Sequence, residues 1–158
     1  MSTYSRSPDE EWVHYLMGPI NGQTDEVCND WRKSYAEEIA LRQSKDKTIP
    51  SNIVILDPMR RDYRGKEHLP GIADRISYHD EVDVVRAHIC VAYVPFPSVG
   101  TAMEIDRAYS FHRHIIIINQ QKHPSPWLVK RASEFWSNEL EAAEAAIAYM
   151  RQHTIGCW

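Results

Sequence analysis

A single α/β domain built around a mostly parallel sheet is the fold class predicted for this chain of 158 residues. Three observations carry it. Apolar runs rich in β-branched residues, such as Ile53-Val-Ile-Leu56 and Ile115-Ile-Ile-Ile118, are too short for helices and read as buried strands. Longer stretches between such runs place apolar residues at helical spacing. The two kinds alternate along the chain, which implies right-handed crossovers between parallel strands. A chain of this length buries about two-thirds of its unfolded surface, so residues 1–158 are read as one domain.

Residues 1–10 are polar and are expected to be flexible. Trp12 to Met17 is a first strand, stopped by Gly18-Pro19. From Asp25 to about Gln43, Val27, Trp31, Tyr35 and Ile39 recur every fourth residue, the spacing of an amphipathic helix. Pro50-Ser-Asn leads into Ile53–Leu56, a second strand closed by Asp57-Pro58. A polar segment from Met59 to about Gly71 holds Arg60, Arg61, Tyr63, Arg64 and Lys66. It is long for a connection in a compact domain, and such loops are often functional. A second helix is expected from about Ile72 to Arg86, with Ile76, Asp80, Asp83 and Val84 close to one face. A third strand spans His88 to Val94, a third helix about Val99 to His112, and a fourth strand Ile115–Ile118. Toward the end, Pro126 to about Arg131 reads as a short helix and Phe135-Trp136 as the core of a fifth strand. Asn138 to about Gln152 is the final helix, capped by Ser137 or Asn138, with Leu140, Ile147 and Met150 facing inward.

Charge and cysteine content narrow the function. A formal charge of −4 with mixed signs argues against a partner that is a nucleic-acid polymer. Cys28, Cys90 and Cys157 form neither a CxxC pair nor a disulfide framework, which fits a reducing compartment and a cytoplasmic protein. The polar start has no apolar segment of the secretory kind, and no run approaches the ~20 apolar residues of a membrane span. His112 and His114 lack a third ligand at metal spacing, so no metal is expected. Cys90 reads as core, and Trp31, Tyr35 and Trp136 as core or subunit-contact residues.

The residues best placed for chemistry lie where three connections meet at the carboxyl edge of such a sheet, the edge at which open α/β sheets bind ligands. These are Gly18-Pro-Ile-Asn-Gly22, the loop from Asp57 to Arg64, and the turn from Pro97 to Glu104. Glu104, near the start of a helix, is expected to be held ionised by that helix's amides and aimed at a ligand. Ser98 suits a helix cap. Asp80 precedes Glu104 by 24 residues, and Asp83 is its rival one turn on.

Tyr15-Leu-Met-Gly-Pro-Ile-Asn-Gly22, then His79-Asp80 seven residues ahead of Ala87, then Pro97-Ser-Val-Gly-Thr-Ala-Met-Glu-Ile105 together resemble the nucleoside 2-deoxyribosyltransferase superfamily. That superfamily also includes 2′-deoxynucleoside 5′-monophosphate N-hydrolases and cytidine-monophosphate hydrolases. The Gly100-x-x-x-Glu104 element is the most specific part of the match. The resemblance implies cleavage of an N-glycosidic bond with retention, through a glycosyl ester resolved by another base or by water. It implies a catalytic set of Glu104 as nucleophile, Asp80 for sugar hydroxyls or the leaving base, and Tyr15 to orient Glu104 or the sugar. The residues expected to bind substrate are Gly18, Pro19, Asn21, Asp57, Arg60, Ser98, Gly100 and Met103. Gly18 and Gly100 would let backbone approach the ligand.

In the monophosphate hydrolases a hydroxyl residue stands at the position of Pro19 and an arginine at that of Asn21, both serving the phosphate. Their replacement here favours an unphosphorylated nucleoside. Ser98 matches a phosphate-contacting serine, and Arg60 or Arg64 would supply charge. The expectation is thus a flavodoxin-like (Rossmann-like) three-layer sandwich of strand order 2-1-3-4-5. It would transfer a deoxyribosyl group between bases without a cofactor. Its partners would be a nucleoside or nucleotide and a free nucleobase, with no membrane, and it would work as a homo-oligomer, at least a dimer. The alternatives are a (deoxy)nucleoside 5′-monophosphate N-glycosidase and a non-catalytic module that binds a nucleotide-derived ligand.

Overall fold

The computed structural model describes residues 6–7 and 9–154. The expectation of flexibility for residues 1–10 falls mostly outside them, as does Cys157. Strands β1 (Trp12–Met17), β2 (Ile53–Leu56), β3 (Ile89–Tyr93), β4 (His114–Ile118) and β5 (Glu134–Trp136) form one sheet in the order 2-1-3-4-5. Every neighbouring pair is parallel. The helices are α1 (Asp25–Lys45), α2 (Ile72–Arg86), α3 (Val99–Ser110), α4 (Pro126–Arg131) and α5 (Glu139–Gln152).

Side-chain alternation along β1 sorts the molecule into three layers. Trp12 and Leu16 face the cluster that holds Trp31, Tyr35 and Ile39 of α1 and Ala142 to Met150 of α5. Val13, Tyr15 and Met17 face the opposite cluster, with Val84 of α2 and Ile105 and Ala108 of α3. Tyr15 therefore points at the two helices that carry Asp80 and Glu104. His14, on the first face, is fully buried between the Tyr35 hydroxyl (2.8 Å) and Met150 Sδ (3.4 Å). Burial lowers its pKa to about 3, so it stays neutral.

Three expectations change. Pro58–Arg61, read as part of an irregular loop, is a turn of 3-10 helix capped by Asp57, whose carboxylate accepts from the Met59 amide at 2.8 Å. Leu140 is 47% exposed and faces away from the core, because Ala142, Ala143 and Ala146 take the sheet-facing positions of α5. Trp136, read as a core or subunit-contact residue, sits at the sheet edge and is exposed, which removes only the core reading. Asn138, one of the two candidates, caps α5 by accepting from the Leu140 and Glu141 amides, each at 3.0 Å. Among the described residues, no helix is long and apolar enough to cross a membrane.

Candidate active site

The sheet reverses its strand order between β1 and β3, and a cavity of about 720 Å³ opens beside that point. Pockets of about 300–1,000 Å³ are typical for small organic ligands. Its wall takes Gly18 to Asn21 and Gln23 from the β1–α1 connection, Pro58 and Arg61 to Arg64 from the β2–α2 segment, and Phe96 to Gly100 from the β3–α3 turn. Thus the three connections singled out in the sequence converge. Helix α2 adds Asp80 and Glu81, and α3 adds Thr101, Met103, Glu104 and Arg107.

At the inner wall the Tyr15 hydroxyl donates to Glu104 Oε1 at 2.5 Å. Tyr15 is fully buried, so that contact is its link to the cavity. Glu104 is half-buried, and its pKa rises to about 8. Loss of hydration is the main cause and the charge of Asp80 the next; the bond from Tyr15 and the Arg32 charge pull the other way without prevailing. This corrects the expectation of a carboxylate kept ionised by its helix. Ser98 is the cap and Val99 the first helical residue, so Glu104 lies in the second turn. The helix dipole acts over the first turn only. With its pKa at about 8, Glu104 is mostly protonated at neutral pH.

Asp80 stands on the same wall. Burial raises its pKa, while the Arg61 guanidinium 3.3 Å away lowers it. Asp83, its rival, is buried outside the cavity wall, where it receives Arg60 at 2.5 Å and Arg61 at 2.6 Å. Arg61 accordingly bridges Asp80 to a buried counter-charge and fixes its position. Two carboxyl groups thus stand on one wall, with the Tyr15 phenol bonded to the Glu104 carboxyl.

The other sequence-derived candidates divide. Pro19, Asn21, Ser98, Gly100 and Met103 line the cavity. Ser98 also caps α3, accepting from the Thr101 amide at 3.5 Å, and takes a second bond from the Thr101 hydroxyl at 3.1 Å. Asp57 and Arg60 stand off the wall: Asp57 caps the 3-10 turn and pairs with Arg32 at 3.3 Å, and Arg60 is turned to Asp83. Gly18 lines the cavity, but its lack of a side chain answers a different demand from ligand approach. A Cβ there would come within 2.8 Å of Trp31 Cζ2. At Gly100 a Cβ would meet open space.

Two arginines with parts in this arrangement were not among the candidates. Arg61 was hidden among its neighbours in a charged run. Arg32 is 1% exposed, lies over the Trp31 ring at 4.7 Å, and donates to the Gly18 carbonyl at 3.1 Å and to the Cys28 carbonyl. Its signal was available: residues 28, 32, 35 and 39 share one face of α1, and a charged residue on such a stripe needs a buried partner. Cys28 and Cys90 are both buried thiols whose pKa is raised by burial. Among the described residues, no three His, Cys, Asp or Glu side chains are grouped to hold a metal ion.

No family model and no curated protein matches the chain. Solved structures do match. A 2-deoxyribosyltransferase from Bacillus psychrosaccharolyticus superposes with a TM-score of 0.64 at 13% identity, over 87% of this chain and 95% of that one. A conserved protein from Enterococcus faecalis V583 gives a TM-score of 0.64 at 19% identity, over 85% of this chain and 96% of that one. At these identities the likeness is one of fold, and it agrees with the resemblance carried by the motifs. The chain has the α/β fold of the deoxyribosyltransferase structure, with its cavity at the switch point of the sheet.

Proposed function

We propose that this protein cleaves the N-glycosidic bond of a 2′-deoxynucleoside or nucleoside and transfers the sugar to a second base. The observation that carries the reading is the meeting of Tyr15, Glu104 and Asp80 at one cavity wall, with the phenol 2.5 Å from the glutamate. In this reading the Glu104 proton passes to Asp80 when the substrate binds, and Asp80 gives it to the departing base. Glu104, then anionic and steadied by the Tyr15 hydroxyl, attacks the anomeric carbon and forms an ester. An incoming base resolves the ester by the reverse steps, and no cofactor is called for.

Charge supports a nucleoside over its 5′-monophosphate. Asp62, Glu67, Asp80, Glu81 and Glu104 line the cavity against Arg61, Arg64 and Arg107. Each of those arginines is already paired with a carboxylate: Arg61 with Asp80 and Asp83, Arg64 with Asp25 and Asp62, Arg107 with Glu81. A dianionic phosphate would enter a wall with an acidic surplus and have to displace those partners.

The test is chromatography of reactions with a deoxynucleoside, with and without a second free base, and in parallel with a deoxynucleoside monophosphate. A new nucleoside that forms only with added base is the expected result. Release of sugar phosphate from the nucleotide alone would favour the N-glycosidase alternative. Glu104→Gln is expected to lower turnover at least ~10³-fold while the protein stays folded, because glutamine cannot form the ester. A variant that binds and turns over normally would remove Glu104 from the chemistry.

A further inference from the structure

The segment from Asp62 to Pro70 lines the cavity through Asp62, Tyr63, Arg64 and Glu67. Its backbone bonds are short turns: the Lys66 amide to the Tyr63 carbonyl (3.0 Å), Leu69 to Lys66 (3.0 Å) and Ile72 to Leu69 (3.2 Å). Gly65 within it and Gly71 just after it lie in the left-handed region, with φ of 76° and 78° and open space where a Cβ would stand. Among the described residues, every hydrogen bond or ion pair from residues 62–70 to chain outside residues 62–72 is made by one side chain, Arg64. Its guanidinium donates to the Gln23 carbonyl at 3.1 Å and to Asp25 Oδ1 at 2.6 Å on the opposite lip, and lies 3.8 Å from Cys28 Sγ. It also binds Asp62 beside it, Nε to Oδ1 at 2.9 Å and Nη2 to Oδ2 at 2.7 Å. Gln23 itself lines the cavity, so this contact ties two walls together.

We propose that Arg64 is a latch that fastens the 62–70 strap to the β1–α1 lip, and that it decides how a glycosyl ester on Glu104 is divided between base and water. The chemical half of this inference rests on the function proposed above; the latch itself rests on geometry. In either outcome the bond between the anomeric carbon and Glu104 breaks and its electron pair returns to the carboxylate. In transfer a base nitrogen bonds to that carbon and its proton passes to Asp80. In hydrolysis a water oxygen forms the bond, its proton takes the same route, and free sugar is released. A closed strap keeps solvent from the ester and leaves it to a base already in the cavity.

The experiment pairs amide hydrogen exchange with product partition. Arg64→Ala removes the latch, and Asp25→Ala removes its carboxylate partner on the far lip while leaving Arg64 in place. Both are expected to speed exchange across residues 62–71 about fivefold, the scale of an exposed charge-assisted contact, while β3 and β4 stay unchanged. Added salt should speed the wild-type strap and have little effect on Arg64→Ala. Unchanged strap exchange in both variants would overturn the latch. With a deoxynucleoside and a second base, the ratio of free sugar to new nucleoside should rise several-fold in both variants. Faster exchange with an unchanged ratio would overturn the gating of water. If wild-type protein forms neither product, the proposed function fails, and the exchange data still decide the latch.

Discussion

At the scale of single residues, Glu104 carries the largest electrostatic burden at the cavity. Its folded pKa of about 8 lies above the ordinary value of 4.5, because burial and the nearby Asp80 disfavour the charged form. Between those two values the unfolded chain gives up a proton that the folded chain keeps. The stabilising effect of the protonated form is therefore complete below about pH 4.5 and is lost as pH rises through about 8. Glutamine resembles the protonated acid and never ionises, while it can still accept from the Tyr15 hydroxyl. Glu104→Gln should match wild type in thermal stability near about pH 5 and exceed it near about pH 9 by on the order of 2 kcal/mol, about 5 °C for a domain of this size. Melting curves across that range check it, and parallel curves would show that the glutamate is not held under strain. A site that weakens the fold in the ionised state of its own carboxyl group is what a functional position is expected to look like.

At the scale of elements, the junction between β1 and α1 shows how packing and site are joined. Trp31 is 5% exposed and lies against Tyr93, with ring centroids 5.3 Å apart, so its indole has little room to retreat from a new methyl group at Gly18. Gly18→Ala is expected to cost about 1–3 kcal/mol by overpacking and to shift the lip that carries Pro19 and Asn21. Gly100→Ala, in the first turn of α3 with nothing within 4 Å, should be neutral or mildly stabilising. Denaturant midpoints of the two variants separate these cases, and equal effects would refute the packing account. The same contrast explains what was legible beforehand. Strands and helices could be read because each is specified by local spacing, and the meeting of three connections follows from parallel order alone. The role of Gly18 could not, since it depends on an aromatic ring thirteen residues away in the chain. Nor could the placing of Asp80 and Asp83 on and off the wall, or of Arg61 and Arg60, because both arginines reach Asp83 and only the fold decides that Arg61 also meets Asp80 at the cavity.

At the scale of the whole molecule, the surfaces left uncovered bear on the proposed homo-oligomer. The sheet's open edges are short, four residues in β2 and three in β5, and offer little backbone for another chain to pair with. The outer layer is different. Tyr78, Val82 and Val85 form an outward stripe on α2, exposed by 66%, 44% and 39%. Val99 and Met103 of the neighbouring α3 are exposed by 79% and 69%, and both also line the cavity. Apolar side chains grouped on adjacent helices mark a contact surface more readily than scattered ones do. We propose that a second copy covers this face, so that each cavity mouth abuts the neighbouring chain. Light scattering on the purified protein should then give twice the chain mass at micromolar concentration. Val82→Glu with Val85→Glu, both off the cavity wall, would bury like charges at a two-fold contact, and should yield single chains whose circular dichroism matches wild type. A wild-type protein that is monomeric at those concentrations would rule the contact out. Turnover by the doubly substituted monomer at the full rate would show instead that the copies meet there without either completing the other's site.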